Sequence, residues 1–394
     1  MTDAREFLLR KVIDDIVKQQ NYEKYELKIQ ALPPTGANFT SQLFFVTISA
    51  PDKRDLHLFA KVAVAGETLR TQAPVNVYDI ERHFYTKLAN IYEDLQEEHK
   101  ISQEHRLILP KFYGCNETYL DEVMVLQDFS AEGFTTLDRL VPFDWEYASQ
   151  AVEQLAKLHA LSIAYQEQYP DDYKEAMNIL KRKVLPEDSP LVHMMQTMIG
   201  KLLELVTEKY RLKVQNFVVE NLTMTKLVQY YMPLERPVLI HGDFRPSNLM
   251  HKIDKNGKLQ VVIVDYQTIT PGSVFNDLLY FIFTGSDSAF RQQYYHKLLE
   301  HYYQQLSHAL TRLHLDPGIV FPKETFDSEL KKMQHYGLVL AAMMLPMITL
   351  EQGHVQGHGY DSLDSMTQMM QHTSDLCAER FNEVVEDYVR WGLL

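Results

Sequence analysis

The chain has 394 residues, 45% of them apolar and 23% charged, and its formal net charge is −14. This composition is that of a globular protein long enough for two domains, and it excludes collagen-like and disordered classes. The acidic balance argues against nucleic acid or an anionic membrane surface as a partner, since both need clustered Lys and Arg. The two cysteines are too few for a disulfide framework and favour a reducing compartment.

The chain begins with "MTDAREFLLRKVIDDIVKQQ", which has the pattern of an amphipathic helix and lacks the continuous apolar segment of a signal peptide. The longest apolar run, Gly337 to Leu350, is shorter than the roughly 20 residues that a membrane helix needs. It predicts a buried helix that is kinked or ends near Pro346. We therefore expect a cytoplasmic protein.

The next segments predict a small sheet with a helix beside it. "SQLFFVTISA" and "LHLFAKVAV" are β-rich runs around a turn-like "PDKRD", which favours an antiparallel hairpin and puts Lys61 on the face opposite Ala60 and Val62. "VYDIERHFYTKLANIYEDL" has apolar residues at helical spacing, with Glu81 at the edge of the stripe. "EVMVLQDFS" predicts a further strand that runs into a polar connection.

Helical patterns dominate from about Trp145 onward and are interrupted once, by "IHGDFRPSNLM" at residues 240 to 250. "RPVLI", "NLMHK" and "KLQVVIVDYQ" around it are β-capable, and "DKNG" supplies an Asn-Gly turn, so this polar stretch is predicted to be a loop beside a small hairpin. The sequence thus predicts an α+β protein with a small β-rich N-lobe, residues 1–126, and a larger, mostly helical C-lobe, residues 127–394.

The polar loop carries side chains suited to a metal-nucleotide site. Asp243 and Asn248 are five residues apart, and Asp265 ends the strand that returns through the hairpin. Carboxylate and amide oxygens suit a hard cation such as Mg²⁺, whereas zinc needs His or Cys ligands.

Phosphoryl transfer needs few protein groups: an aspartate for the hydroxyl proton, oxygens for Mg²⁺, a lysine for the phosphates and a carboxylate that positions the lysine. Lys61 on a strand and Glu81 on the next helix supply the last two. Taken singly, such residues are more often structural ion pairs or turn formers. Their joint order along the chain, Lys, Glu, Asp, Asn, Asp, favours a kinase site.

These motifs resemble those of the aminoglycoside and choline kinase branch of the protein-kinase-like fold, and within it the ecdysteroid-kinase-like family. The similar stretches run from about Gly36 to Leu350 and include "LFAKVAV", "IERHFYTKL", "MVLQDFS", "LAKLHALS", "LIHGDFRPSNLM", "VVIVDYQ" and "DLLYFIFTG". The resemblance implies a bilobal kinase-like fold and a phosphotransferase that uses ATP and Mg²⁺ on an alcohol group of a small molecule.

The resemblance also implies individual roles. Asp243 would be the general base or the group that orients the acceptor hydroxyl, and Asn248 and Asp265 would hold Mg²⁺. Lys61 would hold the nucleotide phosphates and Glu81 would pair with it. Gly36 would be the glycine of the phosphate loop. Backbone groups of Gln127 and Phe129 would contact adenine, and His241 and Asp277 would be structural supports.

Departures from the family pattern leave the acceptor open. The loop "PTGANFTS" has the single glycine Gly36, and "DYQ" stands where protein kinases have "DFG", with no "APE" segment after it, so a protein substrate is not expected. The acceptor is expected to be an ecdysteroid or another hydroxylated metabolite or xenobiotic. Choline or an aminoglycoside is the alternative acceptor, and a nucleotide-binding pseudokinase is the alternative class. His159 is expected to be a hydrogen-bonded core residue.

Overall fold

The computed structural model of the protein describes residues 2–33, 40–72, 76–232, 236–350, 363 and 374–394. The strands in these ranges are β1 (Glu26–Ala31), β2 (Ser41–Ala50), β3 (Lys53–Ala63), β4 (Phe112–Asn116), β5 (Val123–Gln127), β6 (Thr135–Thr136), β7 (Val238–Ile240), β8 (Leu249–Ile253), β9 (Leu259–Ile263) and β10 (Thr270–Gly272). The helices of the first half are α1 (Thr2–Gln19), α2 (Glu67–Gln72), α3 (Val77–His83), α4 (Ala89–Glu98), α5 (Trp145–Gln168), α6 (Pro170–Leu180) and α7 (Pro190–Glu204). Those of the second half are α8 (Glu208–Asn221), α9 (Met224–Tyr231), α10 (Val274–Gly285), α11 (Ser288–Arg312), α12 (Pro317–Val320), α13 (Lys323–Met333), α14 (Tyr336–Ile348) and α15 (Asp375–Arg390).

A five-stranded antiparallel sheet forms the N-lobe, in the order β1-β2-β3-β5-β4. The predicted hairpin is confirmed, with Lys61 of β3 opposite Leu43 of β2. Alternate residues of β2 and β3 pack against α1, and because strand side chains alternate, Lys61 lies on the opposite face of the sheet. The apolar cluster between sheet and helix consists of Leu9, Val12, Ile13, Ile16, Val17, Phe44, Val46, Ile48, Leu58, Ala60, Val62, Val123 and Val125.

The predicted helix between β3 and β4 contains a wide turn. After α3 the chain forms a π-helix, Phe84–Leu88, and then continues as α4. A π turn inserts one residue into the helical repeat, a feature that often marks functional positions. Here Glu81, Phe84, Tyr85 and Leu88 are all buried, on the side that faces the sheet and the C-lobe.

The C-lobe is built around two buried helices. α5 begins at Trp145, as predicted, where the Asp144 side chain accepts a hydrogen bond from the Tyr147 N–H and satisfies one of the helix's free donors. Every residue of α10 is buried. Between these helices β8 and β9 form the hairpin predicted around the Asn-Gly turn, and β7 pairs with β10.

The long apolar run forms α14, in which most side chains are buried and Pro346 lies in the last turn. The helix ends two residues later, at Ile348, in agreement with the prediction of a buried core helix. In the described ranges no helix is long and apolar enough to cross a membrane. The aromatic residues of α10, like Tyr302 of α11, belong to the main hydrophobic core.

Candidate active site

Lys61 bridges two carboxylates that come from different lobes. Its Nζ lies 2.7 Å from Glu81 Oε1 and 2.5 Å from Asp265 Oδ1, and all three side chains are largely buried. Burial lowers the pKa of Lys61, but the charges of Asp265 and Glu81 outweigh it and hold that pKa above its ordinary value. Lys61 is therefore a permanent cation, and it is placed between the sheet, α3 and the loop after β9.

The backbone at Asp265 has an unusual conformation. Its φ is +69°, a left-handed value that few residues other than glycine adopt. The preceding residue is held on both sides: the Val264 N–H donates to the Asn248 carbonyl, and the Val264 carbonyl accepts from His241 Nε2 at 3.1 Å. This strain turns the carboxylate of Asp265 toward Lys61. Burial raises the pKa of Asp265, but the charge of Lys61 outweighs it and lowers that pKa.

The loop that carries Asp243 is tied to α10. Asp277 accepts hydrogen bonds from the His241 N–H at 2.7 Å and from the Gly242 N–H at 2.8 Å. Gly242 has φ +81°, and a Cβ there would lie 2.4 Å from the Thr268 carbonyl oxygen, so only glycine fits this turn. His241 itself is fully buried, and its Nδ1 accepts from the Asp243 N–H at 3.3 Å.

Asp243 and Asn248 are joined directly. Asn248 Nδ2 donates to the carbonyl of Asp243 at 2.9 Å and to its Oδ2 at 2.8 Å. With its amide nitrogen committed in this way, Asn248 has its Oδ1 left as a ligand atom. The sequence-predicted residues Lys61, Glu81, Asp265, Asp243 and Asn248 thus lie in one continuous region, connected by Val264 and His241.

Arg245 is a site residue that the sequence-based prediction missed. Its Nε lies 3.0 Å from Asp243 Oδ1 and 3.2 Å from Oδ2. Burial lowers the pKa of Arg245, but the charge of Asp243 outweighs it and the guanidinium keeps its charge. The sequence signal was a cation two residues after the predicted catalytic aspartate, inside the same loop.

The two lobes enclose a cleft of about 700 Å³. Its lining includes Lys61 and Phe59 from the sheet, and Asn248, Met250, Val264 and Asp265 from the C-lobe. The lining thus combines apolar side chains with charged ones. This combination suits a ligand with a flat apolar part and an anionic part.

Gln127 and Phe129 also line the cleft, at the crossing between the lobes. The Gln127 N–H donates to the Lys111 carbonyl, and the Phe129 carbonyl accepts from the N–H groups of Glu132 and Phe134. The Gln127 side chain is held as well, since its Oε1 accepts from the Lys111 N–H and its Nε2 donates to Glu132. Gly36, predicted to contact phosphate, lies outside the described residues.

The oxygen donors around Asp265 fit a hard divalent cation. Asp265 supplies a carboxylate, Asn248 supplies an amide oxygen, and the adjacent cleft leaves room for phosphate oxygens and water. Among the described residues, no group of three or more His, Cys, Asp or Glu side chains is arranged as a metal site. The donor set therefore matches Mg²⁺ carried with a nucleotide, and a separate protein-bound metal site of the zinc type has no counterpart in this part of the chain.

His159 supports the loop from behind and does not line the cleft. It is fully buried; its Nε2 lies 3.2 Å from Asp277 Oδ2, and its Nδ1 lies 2.6 Å from the Tyr302 hydroxyl. The prediction of a hydrogen-bonded core residue is confirmed.

Most of the chain matches a known protein family. A model of the ecdysteroid kinase-like family matches residues 35–315, more than half of the chain. No curated protein gives a significant match. Two similar solved structures are GDP complexes of aminoglycoside 2'-phosphotransferase-IIIa. A point mutant has a TM-score of 0.46 and 10% identity over 96% of both chains. The wild type has a TM-score of 0.42 and 11% identity over 93% of this chain and 96% of that one.

The bilobal α+β architecture and the family match define a phosphotransferase of the kinase-like fold with a hydroxyl group as acceptor. The chain belongs to the ecdysteroid kinase-like family. The predicted fold class, family and enzyme class are confirmed.

Proposed function

We propose that the protein is an ATP- and Mg²⁺-dependent kinase that transfers the γ-phosphate to a hydroxyl of a small molecule. The observation that carries the proposal is the position of Lys61, which lines the cleft and is bonded to both Glu81 and Asp265. Kinase-type phosphoryl transfer needs a lysine paired with a glutamate and an aspartate for the metal, and the buried Lys61 contacts both carboxylates.

The proposed roles follow from the contacts. Lys61 holds the phosphates, Glu81 fixes the position of Lys61, and Asn248 and Asp265 are the ligands for Mg²⁺. Mg²⁺, when bound, neutralises negative charge on the phosphates. Asp243 orients the acceptor hydroxyl and takes its proton, while the hydroxyl oxygen forms a bond to the γ-phosphorus and the bond from that phosphorus to the ADP oxygen breaks.

Adenine is proposed to lie between the apolar lining residues of the cleft, Phe59 of the N-lobe and Met250 and Val264 of the C-lobe. Because the Gln127 N–H and the Phe129 carbonyl already form hydrogen bonds, the groups proposed to bind adenine are the Gln127 carbonyl and the Phe129 N–H. The proposed boundary of the two lobes lies between residues 126 and 127, before the last residue of β5. Gly36 remains the proposed glycine of the phosphate loop.

Guanidinium groups around Asp243 bear on the choice of acceptor. Arg245 pairs with Asp243, and Arg182 donates to the Gly242 carbonyl at 3.2 Å. Arg139 lines the adjoining cleft and donates to the carbonyls of Ile348 and Leu350. A cationic acceptor such as choline or an aminoglycoside would be repelled here. We therefore favour an ecdysteroid or another uncharged hydroxylated metabolite or xenobiotic.

The proposed location of the protein is the cytoplasm. Cys115 and Cys377 are both free, as is usual in a reducing compartment. The net charge of −14 supports a small-molecule partner over nucleic acid.

The test is transfer of labelled phosphate from ATP to a panel of ecdysteroids, choline and aminoglycosides, with and without Mg²⁺. We expect Mg²⁺-dependent product from an uncharged polyhydroxylated acceptor and none from the cationic ones. Asp265→Asn is the control for the metal site and is expected to lose the product. Efficient phosphorylation of choline or an aminoglycoside would refute the acceptor assignment, and Mg²⁺-independent transfer would refute the metal assignment.

A further inference from the structure

Lys157 is a buried cation outside the cleft. It lies on α5, is only 8% exposed, and makes two long hydrogen bonds, to the Arg106 carbonyl at 3.5 Å and to Gln154 Oε1 at 3.3 Å. No carboxylate in the described ranges forms an ion pair with it. Burial, as the largest cause, lowers its pKa. A buried ammonium group with so little compensation is costly unless something else accepts its hydrogen bonds.

Two more basic side chains line the same small pocket. These are His105, before β4, and Arg312, in the last turn of α11, and both are half-buried. Arg312 makes no hydrogen bond or ion pair in the described part of the chain, and His105 only reaches the adjacent Glu104, at 3.5 Å. Three basic groups converge here in a protein whose net charge is −14.

Acidic groups near the pocket do not neutralise it. Glu153, one turn before Lys157, raises the pKa of Lys157, whereas Lys258 and Arg312 lower it. Glu153 forms no ion pair within the described ranges, and its carboxylate accepts only a long bond from Gln150. Burial, and after it the charges of Arg312 and Lys157, lower the pKa of His105. The positive charge of the pocket is therefore that of Lys157 and Arg312, and repulsion between these two cations favours an anion between them.

The shape of the pocket indicates which kind of anion fits. The pocket volume is about 20 Å³, enough for one water-sized group, and the apolar lining residues are Ile101, Leu161, Ala309 and Leu313. Lys157 is the buried member of the basic set, and His105 and Arg312 are more exposed. One oxygen of a tetrahedral oxyanion would fill this volume beside Lys157, and its other oxygens would face the more exposed His105 and Arg312.

We propose that Lys157, His105 and Arg312 form a phosphate-binding site that is separate from the nucleotide cleft. None of the residues that line this pocket lines the cleft. The ligand is inorganic phosphate or the phosphate group of a small phosphomonoester. Its binding joins the segment between α4 and β4 to α5 and α11, so that it stabilises the fold.

The experiment measures the thermal midpoint, Tm, as phosphate is added, against sodium chloride at the same ionic strength. Wild type is compared with Lys157→Met, which keeps the length of the side chain without its charge, and with Arg312→Gln at the rim. Lys61→Met is the matched control, because it removes the cation of the cleft and leaves this pocket intact. Each shift is measured from the variant's own Tm without phosphate, and glycerol 3-phosphate replaces phosphate in a second arm.

We expect a saturable rise in Tm of about 2 °C in wild type and in Lys61→Met. Lys157→Met and Arg312→Gln are expected to lose most of this rise. A response to phosphate alone identifies free phosphate as the ligand, and a response to both compounds identifies a phosphomonoester group. Equal shifts in all four proteins, or the same rise with chloride, would overturn the proposal. If Lys157→Met does not fold, the comparison of the phosphate-induced rise in Tm between Arg312→Gln and Lys61→Met tests the proposal.

Discussion

Phe84 and Tyr266 stack face to face, with ring centroids 3.8 Å apart and planes 7° from parallel. Phe84 lies three residues after Glu81, and Tyr266 directly follows Asp265. The Tyr266 ring also contacts His241, at 5.1 Å between centroids. This ring pair therefore links the helix that positions Lys61 with the loop that presents the proposed metal ligand.

Replacement of Tyr266 by Leu is expected to weaken both the fold and the site. The loss of the stack should lower the free energy of unfolding by roughly 2 kcal/mol and reduce ATP affinity, because Glu81 and Asp265 are no longer held together. The buried Tyr266 hydroxyl has no hydrogen-bond partner among the described residues, so Tyr266→Phe is the matched control and should be neutral or stabilising. Urea unfolding and calorimetric ATP titration check both; equal ATP affinity in the Leu and Phe variants would contradict the linkage.

Asp277 is predicted to be essential for the shape of the catalytic loop. Asp277→Ala leaves the N–H groups of His241 and Gly242 buried without acceptors, at a cost of about 3 kcal/mol in the free energy of unfolding. Asp287→Asn is the control, since Asp287 caps α11 and Asn caps helices equally well. Denaturant unfolding of the two variants measures the difference. A change below about 1 kcal/mol in Asp277→Ala would show that the loop is held by other contacts.

The Arg70–Glu122 pair predicts a pH-dependent contribution to stability. Arg70 binds both carboxylate oxygens of Glu122, at 2.5 and 2.8 Å. Burial raises the pKa of Glu122, but these bonds outweigh it, so the pKa lies below its ordinary value in the folded protein. The resulting stabilisation is present above the unfolded pKa of about 4.3 and is lost as pH falls through the folded pKa.

Glu122→Gln should therefore be less stable than wild type near neutral pH, and the difference should shrink on acidification toward about pH 3. Free energies of unfolding in urea at several pH values provide the measurement. The account of this pair fails if the difference is the same at every pH.

The order of residues along the chain predicted most of the site residues, because the patterns involved are formed by neighbouring residues. The alternation in β3 placed Lys61 on the face opposite Ala60 and Val62, and the Asn-Gly turn brought Asp265 back toward the loop of Asn248. Such patterns depend on neighbours in sequence and can be recognised without tertiary information.

Other features depend on contacts between distant segments. The π turn at Phe84 and its stack on Tyr266 join residues far apart in the chain, and no periodicity predicts them. The bond from Arg245 to Asp243 depends on how the loop turns, which the positive φ of Gly242 determines. β1 and β4 were also missed, because β1 is partly exposed and β4 is short and contains Gly114.

Arg245 is expected to matter for the rate of transfer more than for nucleotide binding. Arg245→Ala frees the Asp243 carboxylate from its only ion pair in the described structure, and we expect the transfer rate to fall about 10- to 100-fold. Arg245→Lys should retain more activity than Arg245→Ala, because it keeps the charge but not the fork of donors. Arg211→Ala removes a surface ion pair and is the control. Steady-state rates of phosphate transfer in these variants provide the measurement. Wild-type activity in Arg245→Ala would exclude a role of Arg245 in catalysis.

Asp243 is proposed to act on the acceptor hydroxyl within a site that binds ATP through other residues. The most direct measurement is of ATP affinity and phosphate transfer on the same preparation of Asp243→Asn, beside Asp254→Asn in an exposed turn as control. We predict unchanged ATP affinity in both variants, wild-type transfer in Asp254→Asn, and a loss of transfer of at least about 100-fold in Asp243→Asn. Transfer by Asp243→Asn at the wild-type rate would contradict the account.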